Sequence, residues 1–172
     1  LALALKELER HGKPHGSIQP SSIFVCPSAS NREEALLKIW DLGLAKVGDA
    51  GIAFEAPEQV SDADVNLDIR ADIYSIGSVI YRLLTGRPPY EAQTPGRLAL
   101  IVSSHSEHPA SLGALRSDLS ADSVQLIERC MSKEPSRRYQ TTAELITAIE
   151  LLLGGQEDRI SFLHRQAETA FN

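Results

Sequence analysis

The stretch Ala71 to Leu84 constrains this chain more than any other feature. Ile73, Ile76, Val79, Ile80, Leu83 and Leu84 fall on nearly every side of a helix, interrupted only by Asp72, Ser75, Ser78 and Arg82. A helix with one apolar stripe lies on a surface, whereas one that is apolar on most sides must be surrounded. The spacing therefore predicts a central, largely buried helix with other elements packed round it. Thr85-Gly86 stops it, and Pro88-Pro89 forbids continuation.

The rest of the chain supplies those elements. Leu1, Leu5 and Leu8, with Ala4 between, predict a helix ending near His11-Gly12. A Pro- and Ser-rich loop, Pro14 to Ser22, follows. Ile23 to Cys26 and Leu36 to Trp40 are short apolar stretches joined by the polar connection Pro27 to Glu34, a small hairpin pattern. Pro57 sits where a first helical turn would begin. Gly96 to Ser103, Ala121 to Met131 and Thr142 to Leu153 read as helices, with Ser120 and Thr141 as N-caps. The expected fold is mainly α with one short β-hairpin. Residues 1–153 form the domain and 154–172 a tail or linker, in which Phe162, Leu163 and Phe171 could support a short helix. Phe24 and Trp40 are expected in the core, and Glu33, Glu34, Asp62 and Asp64 in solvent.

Composition excludes several classes of function. The 172 residues carry a net charge of -6, and no basic patch stands out, so nucleic acid and anionic membrane are not expected partners. No apolar run reaches spanning length. The chain starts at Leu1 with no charged region before it, and LALAL is too short for a signal core, so the start reads as a cut through a longer chain. Cys26 and Cys130 lie far apart with no CxxC and are expected to be buried thiols in a reducing compartment, the cytoplasm, although sequence leaves a disulfide open. There is no HExxH and no Cys/His cluster to hold zinc.

Four strings, in order, carry a resemblance. HGSIQPSSIFV (His15 to Val25) is similar to the protein kinase catalytic loop H-R-D-x-x-x-x-N. WDLGLAK (Trp40 to Lys46) is similar to D-F-G with Leu in the middle, and EAPEQ (Glu55 to Gln59) contains A-P-E. ADIYSIGSVIYRLLTGRPPY (Ala71 to Tyr90) resembles the long central helix of the larger kinase lobe. EPSRRYQTTAEL (Glu134 to Leu145) adds a fifth string, similar to the late Arg-containing segment of bacterial-type Ser/Thr kinases. The resemblance covers Leu1 to Leu153, the C-terminal lobe alone. No Gly-rich loop, strand Lys or partner Glu of the small lobe lies within the chain.

Phosphoryl transfer is mainly positioning and charge neutralisation: a carboxylate near the attacking hydroxyl, and an Asn and an Asp holding magnesium over the phosphates. Against the family pattern, His15 is retained, Gly16 replaces the Arg, Ser17 the catalytic Asp, Gln19 the loop Lys, and Ser22 the magnesium-binding Asn. Asp41 is retained as the other metal ligand. A Ser hydroxyl has no useful basicity near neutral pH, so Ser17 cannot act as the base. Fourteen residues separate Asp41 from Ala56, and Leu44 to Glu55 contains no Ser, Thr or Tyr to phosphorylate. Gly16 has also lost the Arg that would pair with such a phosphate. The resemblance further implies structural roles. Asp72 would accept from the backbone near His15 and Gly16. Glu58 and Arg137 would form a buried ion pair. His15 and Leu42 would stack in an internal apolar column, and Phe24 would touch adenine.

The reading is a pseudokinase, a regulatory or scaffold module working through a protein partner or adjoining domains. An atypical active Ser/Thr kinase and a nucleotide-binding switch are the alternatives. Magnesium and ATP belong to the full two-lobe domain, through Asp41 and Phe24, and the lone lobe is expected to hold neither.

Overall fold

A computed structural model describes residues 2–27, 35–40, 49–61 and 66–155. Asp41, Leu42, the solvent acids Glu33, Glu34, Asp62 and Asp64, and the tail residues Phe162, Leu163 and Phe171 lie outside the described residues.

The order of elements follows the sequence pattern closely. α1 is Ala2–Arg10, β1 is Ile23–Pro27, β2 is Ala35–Ile39, α2 is Pro57–Ser61 and α3 is Ile69–Thr85. α4 is Pro95–Ser103, α5 is Leu112–Leu115 and α6 is Ala121–Cys130, and helical backbone continues over 142–155, here α7. A 3-10 segment, Asp49–Phe54, precedes α2. The caps are local chemistry. Asp68 accepts from the backbone N–H of Arg70 at the start of α3, Ser120 from Ser123 in α6, and Thr141 from Glu144 in α7.

α3 is the axis of the lobe. Ala71 to Val79 are all buried, polar residues included, as is Tyr81. α1, α5, α6 and the 3-10 segment pack round it. Gly77 is what brings α6 so close: a Cβ there would lie 2.8 Å from both Cys130 Cβ and Met131 Cγ. Leu5 of α1, Leu112 of α5 and Leu145 of α7 are fully enclosed in the same core. The Glu9 carboxylate of α1 accepts from the backbone N–H and the hydroxyl of Thr142, capping α7 from across the chain. α4 stands apart, packed on α2 and the 3-10 segment.

The hairpin corrects two expectations. β1 and β2 pair antiparallel, with Ile23 opposite Ile39 and Val25 opposite Leu37. Its base packs on the core through Ile23 and Ile39. Phe24 is 51 % exposed and Trp40 73 %, because no layer among the described residues covers the two strands. Both are surface residues of this lobe. Cys26, expected to be buried, is half-buried on β1, while Cys130 is buried on α6, and both are free thiols.

Candidate catalytic loop and its buried supports

The loop between α1 and β1 is held by its backbone. Asp72, fully buried on α3, accepts from the N–H of His15 at 2.6 Å and of Gly16 at 2.8 Å. Burial pushes the Asp72 carboxyl above the usual carboxylate range, and the two N–H donors pull it back. Gln59 of α2 adds a side-chain hydrogen bond to the Gly16 carbonyl. Gly16 has φ +73, the left-handed region that glycine enters without strain. The bend that presents both N–H groups to one carboxylate passes through that residue.

His15 is buried and fully engaged. The Ser17 N–H can only donate, so the His15 Nδ1 it meets at 3.3 Å is an acceptor. His15 Nε2 therefore carries the hydrogen and donates to the Trp40 carbonyl at 3.1 Å. The imidazole ties the loop to the end of β2, and neither nitrogen is left to move a proton.

Ser22, at the magnesium-binding Asn position, is buried. Its hydroxyl donates to the Gln19 carbonyl at 2.9 Å and accepts from the Gln19 N–H at 3.0 Å. This closes the 3-10 turn Pro20–Ser22. The hydroxyl has one hydrogen, and the turn uses it. Ser22 does not fit the Asn half of the family's metal pair: it is a buried hydroxyl that closes a turn. The Gln19 side chain, in place of the Lys, lies against Gly51 of the 3-10 segment.

A cavity of about 750 Å³ opens beside this loop. Gln19, Pro20, Phe54, Arg82, Tyr90 and Leu98 are among the residues that form its wall.

The activation-segment latch corrects the sequence reading. Glu58 pairs with Arg138 and not with Arg137. Arg138 Nη1 and Nη2 each reach a Glu58 oxygen at 2.7 Å. Nε donates to the Ser132 carbonyl, and the second hydrogens of Nη1 and Nη2 go to the carbonyls of Arg70 and Lys133. All five guanidinium donors are thus satisfied, and the group lies 4.9 Å from the Tyr74 ring centroid. Arg138 is 0 % exposed. Arg137 ends the 3-10 turn Pro135–Arg137 and points outward. With two adjacent arginines in PSRR, only the turn decides which one faces the core.

Residues 1–148 match the family model described as protein kinase domain. The chain belongs to the protein kinase family. Its relatives include the serine/threonine-protein kinase PknJ of Mycobacterium tuberculosis, 31 % identical over 170 residues, covering 92 % of this chain and 28 % of that protein. PknB of the same species is 31 % identical over 155 residues, covering 83 % and 23 %. A probable serine/threonine-protein kinase of Clostridium acetobutylicum is 32 % identical over 157 residues, covering 85 % and 22 %. The chain thus spans 22 % to 28 % of the length of these kinases. With its helical body and two-stranded hairpin, it corresponds to a C-terminal lobe. Among the described residues, no helix is long and apolar enough to cross a membrane.

Two further residues lay outside the sequence reading. Arg138 was hidden by its neighbour. Glu9 gave no signal, because its partner Thr142 is distant in sequence.

Proposed function

We propose that this kinase lobe belongs to a pseudokinase, a regulatory or scaffold module that holds a partner polypeptide and transfers no phosphate. The observation that carries the reading is Ser22. Its hydroxyl is consumed in a turn where the family needs a metal ligand. Ser17, in place of the base, supplies no carboxylate, and the buried Asp72 is occupied by backbone donors. Asp41 alone remains of the metal-binding pair. The cavity beside the loop offers the partner a surface of mixed polarity. Cytoplasmic location fits the composition.

The test is phosphate incorporation from ATP and magnesium, in a polypeptide that carries this lobe together with an upstream small lobe. The expected result is none above that of an Asp41→Ala control. Robust autophosphorylation that the control abolishes would overturn the proposal.

One observation favours an atypical active kinase instead. The Glu55 carboxylate and the Gln19 side chain both come within about 4 Å of the position a Cβ on Gly51 would take, which brings an acid alongside the loop. On that reading Glu55→Gln abolishes activity, whereas under the leading proposal there is no activity to lose.

A further inference from the structure

The wall of the cavity beside the catalytic loop is held from behind. α4 contributes Leu98 to that wall, and the loop before α4 contributes Tyr90. The helix rests on α2 and the 3-10 segment, which are themselves parts of the activation-segment region. Its C-terminal end reaches the α6 side of the core through one cation. Lys133 Nζ donates to the Val102 carbonyl at 2.6 Å and the Ile101 carbonyl at 3.4 Å. The same ammonium lies 4.4 Å from the Tyr90 ring centroid. A cation suits both partners: the last carbonyls of a helix carry its negative pole, and a tyrosine face is electron-rich. The Tyr90 hydroxyl then donates to the Glu107 carbonyl at 3.4 Å, extending the tie along the chain after α4.

We propose that Lys133 is a positioning residue for this cavity, its charge holding the end of α4 and the Tyr90 ring in place so that neutralising it shifts the wall. Lys133 also lines a separate cavity of about 330 Å³, bordered by Tyr81, His108, Glu128 and Met131. Lys133 itself does not line the first cavity, so a change at Lys133 reaches that cavity through Tyr90 and the end of α4. The inference does not depend on what the first cavity binds or on whether the lobe transfers phosphate.

Burial lowers the Lys133 amine to about 8, and Glu107 opposes the shift. The amine is therefore charged at neutral pH and titrates within reach of experiment. The other titratable groups facing it are Tyr90 beneath, Tyr81 of α3, His108 after α4 and Glu128 of α6.

The experiment compares the wild-type chain with Lys133→Met and Lys133→Arg by hydrogen exchange and carbon-detected NMR. In Lys133→Met, amides of α4 exchange on the order of tenfold faster, while α3 keeps its protection. The Leu98 methyl and Tyr90 ring signals, both at the cavity, shift with them. Lys133→Arg restores all three. The Ile101 and Val102 carbonyl carbons titrate near pH 8 in the wild type and stay flat between pH 7.5 and 9.5 in Lys133→Arg. Unchanged α4 exchange in Lys133→Met would overturn the proposal. So would equal loosening of α3 and α4, an arginine variant as loose as the methionine one, or carbonyl carbons that do not titrate in the wild type.

Discussion

The Arg138 latch and the catalytic loop are both buried frameworks of hydrogen bonds, yet they differ in side-chain chemistry. In the latch, every donor of Arg138 has a partner, and both Glu58 oxygens are used. In the loop, the backbone is held as firmly, by Asp72 and by the Ser22 turn, but Ser17, Gln19 and Ser22 bring no carboxylate or cation to it. The difference separates residues by what their loss would cost. Removing one half of a buried ion pair strands a charge and destabilises the lobe strongly. The loop's Ser22 hydroxyl, by contrast, spends its hydrogen bonds on the Gln19 backbone within one turn, so its loss would leave no buried charge behind.

The largest test of that comparison is at the latch. Glu58→Gln or Arg138→Met should each cost about 3–5 kcal/mol in urea unfolding, while Arg137→Met should stay within about 0.5 kcal/mol. A large effect at Arg137 would reassign the pair. Next comes the loop framework. Asp72→Ala strands two buried N–H groups and should cost about 2–3 kcal/mol, with faster amide exchange at His15 and Gly16. An Asp72→Ala protein as stable as the wild type would mean the loop is not held from α3.

A smaller effect is expected at Gly16. Restoring the family residue with Gly16→Arg meets no obstacle nearer than Leu67 Cδ1, 3.8 Å from a Cβ. The left-handed backbone should still cost about 1 kcal/mol. If Gly16→Arg is instead stabilising, the glycine was not chosen for its backbone.

The smallest effect is a pH slope. Lys133 binds its proton less well folded than unfolded, about 8 against an ordinary 10.5. Between those values the unfolded chain holds more protons, so stability should rise with pH. The site is half-exposed, and the gain should stay below about 1 kcal/mol. Chemical denaturation of wild type and Lys133→Met side by side from pH 8 to 10 checks it: the rise is the difference between the two, because the buried Cys130 thiol, pushed up to about 12, adds a falling slope above its ordinary value to both. Measurement stops at 10 because burial raises Tyr74 to about 12, which favours unfolding above the ordinary tyrosine value.

Much of the fold was legible because it rests on local signals. The apolar run of α3, the proline starts, the Ser120 and Thr141 caps and the hairpin pattern each act within a few residues. Phe24 and Trp40 misled for a physical reason. Apolar type predicts burial only if another layer exists, and among the described residues the two-stranded hairpin has none over its outer part. The site was legible as a set of substitutions, since motif order carries it, but not as a set of contacts.

The sequence by itself determined that this is a mainly helical kinase lobe with Ser17, Gln19 and Ser22 in its loop. Those are facts of residue identity, and no packing can restore a carboxylate at Ser17. Tertiary structure alone decided which arginine meets Glu58, where the Ser22 hydroxyl spends its one hydrogen, and that Lys133 reaches the end of α4. Each of these depends on the direction of a side chain from a turn or helix end, and direction is set by what the far parts of the chain place around it.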